Sequence, residues 1–155
     1  VGLGLRHVLP PDQARRVVSV IGDSTFVHSG ISGLVEMVYN PPPNGHVLII
    51  LDNSTTAMTG HQEHPGTGRK LDHEPTSKLV IEDLARALGI RRVHVIDPRF
   101  GTDDFDRLLT DCLESNELAV IIARRPCILI AKQLKKYEEQ LCDCPAAQPA
   151  TPTPA

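Results

Sequence analysis

The chain has 155 residues, enough for one domain with a real core but not comfortably for two. A formal charge of −3 leaves no basic face for nucleic acid, no apolar run approaches the roughly 20 residues of a membrane span, and the first residues carry neither the apolar stretch nor the cleavage site of a signal peptide. Aromatic residues are only 3% of the chain, so the core must be aliphatic, and the four cysteines (Cys112, Cys127, Cys142, Cys144) form no disulfide framework, which points to a reducing, cytoplasmic location.

The opening Val1-Gly2-Leu3-Gly4-Leu5 reads as the interior of a helix or turn, as if the domain were N-terminally incomplete. Arg16 to Ile21 is a short β-branched run ended by Gly22, the pattern of a strand buried on both faces. Ser29 to Tyr39 places Ile31, Leu34, Val35 and Val38 on one helix face, and Asn40-Pro41-Pro42-Pro43-Asn44-Gly45 stops it. Val47 to Leu51 reads as a second buried strand. Residues 52–76 show neither period; a polar loop of about 25 residues is uncommon in a compact domain unless it is functional.

A helix is predicted over Ser77 to Leu88 with Gly89 as its stop, then a third strand at Val93 to Ile96. A helix over Asp103 to Leu113 turns Phe105, Leu108, Leu109 and Cys112 inward. Leu118 to Ala123 is a fourth strand, Cys127 to Ile130 an extension or a fifth, and Lys132 to Gln140 a polar helix. Residues 1–140 thus form the domain, and the Pro/Ala/Thr-rich 141–155 a disordered tail. Strands alternating with helices predict an α/β fold of three layers, a largely parallel sheet of four to five strands with helices on both faces. Ligands of such sheets sit at the carboxyl ends of the strands.

Two strand tips carry the candidate chemistry. The first ends in Gly22-Asp23-Ser24 and the second in Asp52-Asn53-Ser54, and a βα unit between them puts both tips at the same end of the sheet. Asp23 and Asn53 can then offer hard oxygen ligands to one Mg²⁺, which binds few protein ligands and completes its shell with phosphate and water. Gly22 allows close approach of a phosphate, and Ser24 with the following N–H groups can face a diphosphate near a helix start.

The Gly-Asp-Ser triplet followed by 28 residues and then Asn resembles the thiamine diphosphate motif. The segments GDSTFVHSGISGLVEMVYN and IILDNSTTAMTGHQEHPGTG make the likeness specific. They resemble the 2-oxoacid:ferredoxin oxidoreductases, and among them the indolepyruvate oxidoreductase alpha subunits, from about residue 1 to 130. Asp52, Asn53, Thr59, Gly60 and Gln62 meet the looser pattern that family shares.

The resemblance implies the thiamine diphosphate-binding fold, in its diphosphate domain. It implies Asp23, Asn53 and the Thr55 carbonyl as Mg²⁺ ligands, contacts to the cofactor from Gly22, Ser24, Ala57 and Met58, and His28 beside the thiazolium or substrate as the catalytic candidate. It also implies oxidative decarboxylation of aryl 2-oxoacids such as indolepyruvate, with coenzyme A and ferredoxin as partners and an oligomeric assembly. Neither the family's pyrimidine-binding domain nor its ferredoxin-like module is matched, so iron–sulfur clusters are not expected on this chain, and a partner pyrimidine domain or subunit is. The alternative reading is a non-catalytic cofactor-binding or assembly fragment.

Other readings are weaker. Ser24 as an esterase nucleophile lacks the Asp-x-x-His pair such a triad needs. His61 and His64 lie in the polar loop without Cys or carboxylate at zinc-ligand spacing and are expected to be solvated. Cys112 and Cys127 are expected in the core.

Overall fold

The computed structural model describes residues 1–99 and 101–142. Four strands, β1 (Val18–Gly22), β2 (His46–Asp52), β3 (Arg92–Ile96) and β4 (Leu118–Arg124), form one sheet among the described residues. Their order is β1-β2-β4-β3 and every pairing is parallel, so β1 and β3 are the edges. The register sets Gly22 beside Leu51, and Asp52 beside Arg124. The tips of β1, β2 and β4 therefore meet at one end.

Helices α1 (Gly2–Val8) and α2 (Pro11–Ala14) precede the sheet. The chain then turns directly from β1 into α3 (Asp23–Thr25), one wider turn at Phe26–Gly30, and α4 (Ile31–Tyr39). The helix thus begins six residues before the expected Ser29, because Phe26 is drawn fully into the core. Helix α5 (Ile81–Ala87) starts later than predicted. Residues 77–80 stay extended because the Thr76 N–H bonds the Gly68 carbonyl and the Leu79 N–H bonds that of Pro65, so this stretch closes the long loop instead of winding. Helices α6 (Thr102–Glu114) and α7 (Ala131–Cys142) complete the described residues.

Alternation along the strands separates two cores. Ile50, Val120 and Ile122 pack with Phe26, Leu34 and Met37 of the first helical run and with Ile81 and Ala85 of α5. Val47, Ile49, Ala119 and Ile121 pack on the other face with Cys112, Phe105, Leu108 and Leu109 of α6. The arrangement is the expected three-layer α/β fold, with central β2 and β4 buried on both faces as their unbroken aliphatic runs require.

The expected extension or fifth strand at 127–130 is a turn. The Arg125 and Cys127 N–H groups reach the carbonyls of Asp52 and Asn53, and then the chain bends into α7. Cys112 is buried as expected, whereas Cys127 is only half-buried in that bend. The expected disordered tail falls, from residue 143 on, outside the described residues. Among the described residues no helix is long and apolar enough to cross a membrane.

Candidate functional site

Asp23 stands at the centre of the strand tips, 3% exposed. Its Oδ1 accepts the Ser24 N–H at 2.8 Å. Its Oδ2 accepts the N–H groups of Asn53 at 3.1 Å and Ser54 at 3.0 Å. These bonds fasten the tip of β2 to the tip of β1. Burial pushes the Asp23 carboxyl upward, but the His64 imidazole and the Ser24 N–H outweigh it and hold the group below the ordinary carboxylate range. It is therefore ionised at neutral pH.

The Asn53 Oδ1 accepts the Thr55 N–H at 3.2 Å, a tight side-chain turn that places Thr55 inward at 3% exposure. Ser54, between them, takes φ +62°. The Thr56 hydroxyl donates to the Ser24 hydroxyl at 2.8 Å, a second tie between the two tips. Asp23, Ser24, Asn53 and Thr55 are thus brought together at the tips of β1 and β2.

Three candidates stand further out. Ala57 and Met58 lie in a short helical turn, Ala57–Thr59, where Ala57 is half-buried and the Met58 side chain is fully exposed. His28 is exposed in the wide turn after α3 and takes no part in the Asp23 hydrogen bonds.

Sequence reasoning gave His64, Arg124 and Glu82 no part in the site, and Asp52 only a place in the family pattern. His64, expected in solvent, is 4% exposed, with Nε2 3.4 Å from the Asp23 Oδ2. The loop folds it inward because a turn forms behind it: the Thr67 N–H and hydroxyl both bond the His64 carbonyl, at 2.8 and 2.9 Å. Its neighbour His61 is half-buried with φ +63°.

The other three form a chain of charges. Asp52 shares the Ser54 N–H with Asp23 at 3.1 Å and accepts the Arg124 Nε–H at 2.7 Å. Arg124 also donates through both terminal nitrogens to Glu82, at 2.9 and 2.7 Å. The guanidinium holds Glu82 below its ordinary range and is itself pushed upward, chiefly by Glu82. Arg124 pairs with two carboxylates, Asp52 and Glu82, so these three groups keep a net negative charge, and the ionised Asp23 beside Asp52 adds to it, which favours a cation. Only the register of β2 with β4 reveals that Arg124 belongs to this group; no local signal marks it.

The Asp23 carboxylate and the Asn53 amide oxygen beside it are oxygen donors of the kind that suits a hard ion. Among the described residues no group of three His, Cys, Asp or Glu could hold a metal, so a cation here needs the Asn53 amide, backbone oxygen and ligand oxygen as well. A Cβ added at Gly22 would meet nothing within 4 Å, so space lies open beside the β1 tip. Two surface clefts, about 390 and 560 Å³, lie elsewhere, one lined by Gly45 and Leu118 and one by Val18 and Leu109. Polar geometry defines the candidate site.

The parallel sheet with its joined tips defines an α/β domain whose candidate site lies at the carboxyl ends of β1, β2 and β4. Residues 1–123 match the family described as thiamine pyrophosphate enzyme, C-terminal TPP binding domain, and the chain belongs to that family. It is similar to the indolepyruvate oxidoreductase subunit IorA of Archaeoglobus fulgidus, 40% identical over 141 residues that cover 91% of this chain and 22% of that protein. The same-named subunit of Methanothermobacter marburgensis is 38% identical over 134 residues, 84% of this chain and 21% of that protein. That of Pyrococcus horikoshii is 38% identical over 113 residues, 73% of this chain and 17% of that protein. The chain spans about a fifth of the length of these relatives. No solved structure matches it.

Proposed function

We propose that this chain binds the diphosphate of thiamine diphosphate through Mg²⁺, as the diphosphate domain of a 2-oxoacid oxidoreductase. The observation that carries the reading is Asp23: a buried, ionised carboxylate at the tip of β1, tied by hydrogen bonds to the Asn53 backbone at the tip of β2. Asp23, the Asn53 amide oxygen and the Thr55 carbonyl would hold the cation. Gly22, Ser24, Ala57 and Met58 would line the cofactor. Thr56, by fixing the Ser24 hydroxyl, orients that contact.

When bound, the cofactor supplies the carbanion chemistry that breaks the bond beside the oxo group of a 2-oxoacid. This chain's own residues would hold the cation and, through it, anchor the diphosphate. Exposed His28 and Met58 would meet the substrate or a neighbouring pyrimidine-binding domain. In this reading the substrate is an aryl 2-oxoacid such as indolepyruvate, ferredoxin takes the electrons, and coenzyme A takes the acyl group. The names of the relatives support the oxoacid class. All of this takes place in a larger assembly.

Calorimetry of the intact protein with thiamine diphosphate and Mg²⁺ tests the reading. Saturable binding that needs the metal and disappears in Asp23→Ala is expected. Binding indifferent to Asp23 would overturn it.

A further inference from the structure

We propose that His64 is a positioning residue that selects which oxygen of Asp23 faces the cation. The inference rests on the Mg²⁺–diphosphate reading of Asp23 and deepens it. His64 Nδ1 accepts the Gly66 N–H at 3.1 Å. In the neutral ring the proton must then sit on Nε2. That nitrogen has no hydrogen-bond partner of ordinary geometry, and the ring is 1% exposed, so water does not serve it. The acceptor it faces is the Asp23 Oδ2, 3.4 Å away. Such contacts are often long without ligand and tighten when one binds.

The two oxygens of Asp23 are unequally used. Oδ2 already takes the Asn53 and Ser54 N–H groups, and His64 stands as a third donor to the same oxygen. Oδ1 takes only the Ser24 N–H. The free lone pair therefore lies on Oδ1, and a cation meets the carboxylate there, through one oxygen.

The loop is built around this ring. A Cβ at Gly66 would sit 3.0 Å from His64 Cε1 and 3.2 Å from Nδ1, so a side chain there would press on the imidazole. The Thr67 N–H and hydroxyl both hold the His64 carbonyl. The loop that begins with the ligand Asn53 thus returns to supply the group that orients the ligand Asp23. Groups of this kind around a metal ligand typically change metal affinity 10–100-fold when lost.

The test compares His64→Gln with His64→Asn in the intact protein. A Gln amide nitrogen can reach the Nε2 position, whereas that of Asn ends near Nδ1. Mg²⁺ is titrated by calorimetry in the presence of thiamine diphosphate, and circular dichroism checks that both variants are folded. The expected result is a loss of about 10–100-fold in cation affinity for His64→Asn and recovery to within about threefold of wild type in His64→Gln. A separate readout on the unaltered protein is the ¹⁵N spectrum of the imidazole, which should show the proton on Nε2. Wild-type affinity in His64→Asn, equal losses in both variants, or a proton on Nδ1 would overturn the role of His64 alone. Absence of Mg²⁺ binding by the wild type, or binding unchanged in Asp23→Ala, would instead overturn the reading it rests on.

Discussion

Replacing Arg124 by Leu removes the guanidinium bonded between Asp52 and Glu82 and strands two carboxylates at the strand tips. Fully buried, each of its three charge-assisted hydrogen bonds would contribute about 1.5–3 kcal/mol. The Arg124 side chain is 31% exposed, so water screens part of that, and the stranded acids can protonate or turn outward. A loss of about 2–3 kcal/mol at neutral pH is the net expectation, read by urea unfolding followed by circular dichroism. The loss must also depend on pH. Glu82 is held below its ordinary value of 4.5, first by the hydrogen bonds from Arg124. A carboxyl with a depressed native pKa stabilises the fold above its unfolded value and loses that contribution as pH falls through the native one. The gap between wild type and Arg124→Leu should therefore be widest at neutral pH and shrink below about pH 4.5. A gap under about 0.5 kcal/mol at neutral pH, or one that is the same at about pH 3.5, would refute the argument.

Two further predictions concern the amino ends of the strands. His46 is buried against Ser19, and burial with the nearby Arg6 charge lowers its pKa to about 4. Its neutral form stabilises the fold fully above about pH 6.5, and on the order of 3 kcal/mol should be lost as pH falls from there toward 4, a slope that His46→Leu flattens in unfolding titrations. Gly45 has φ +64°, and a Cβ there would lie 2.3 Å from the Glu117 carbonyl oxygen. Gly45→Ala should lower stability by at least about 2 kcal/mol in thermal unfolding, and a change within about 0.5 would show that the turn can yield.

The strands were legible because each is a short aliphatic run. Burial on both faces, expected for β1 as well, holds for the central β2 and β4 and fails at the edges, where Val20 and Val95 are exposed. Helix starts were less so. The Ser77 start fails because residues 76–79 find backbone partners in the loop rather than in a helical turn. Asp23 and Asn53 were legible as a pair because each directly follows a strand, and parallel strands end together. His64 was not, since a histidine in a polar stretch gives no sign that a turn behind it will press it inward. The Asp52–Arg124–Glu82 chain was not legible either, because Asp52 and Arg124 meet only through a pairing 72 residues apart in sequence. Strand order, not local pattern, decides such contacts.

The central claim is that Asp23 holds the cation that carries the cofactor's diphosphate. The most direct test is calorimetric titration of the intact protein with thiamine diphosphate, with and without Mg²⁺, for the wild type and Asp23→Ala. Saturable, Mg²⁺-dependent binding in the wild type and its loss in a folded Asp23→Ala is the predicted result. Equal binding by both proteins, or wild-type binding that ignores the metal, would contradict the account.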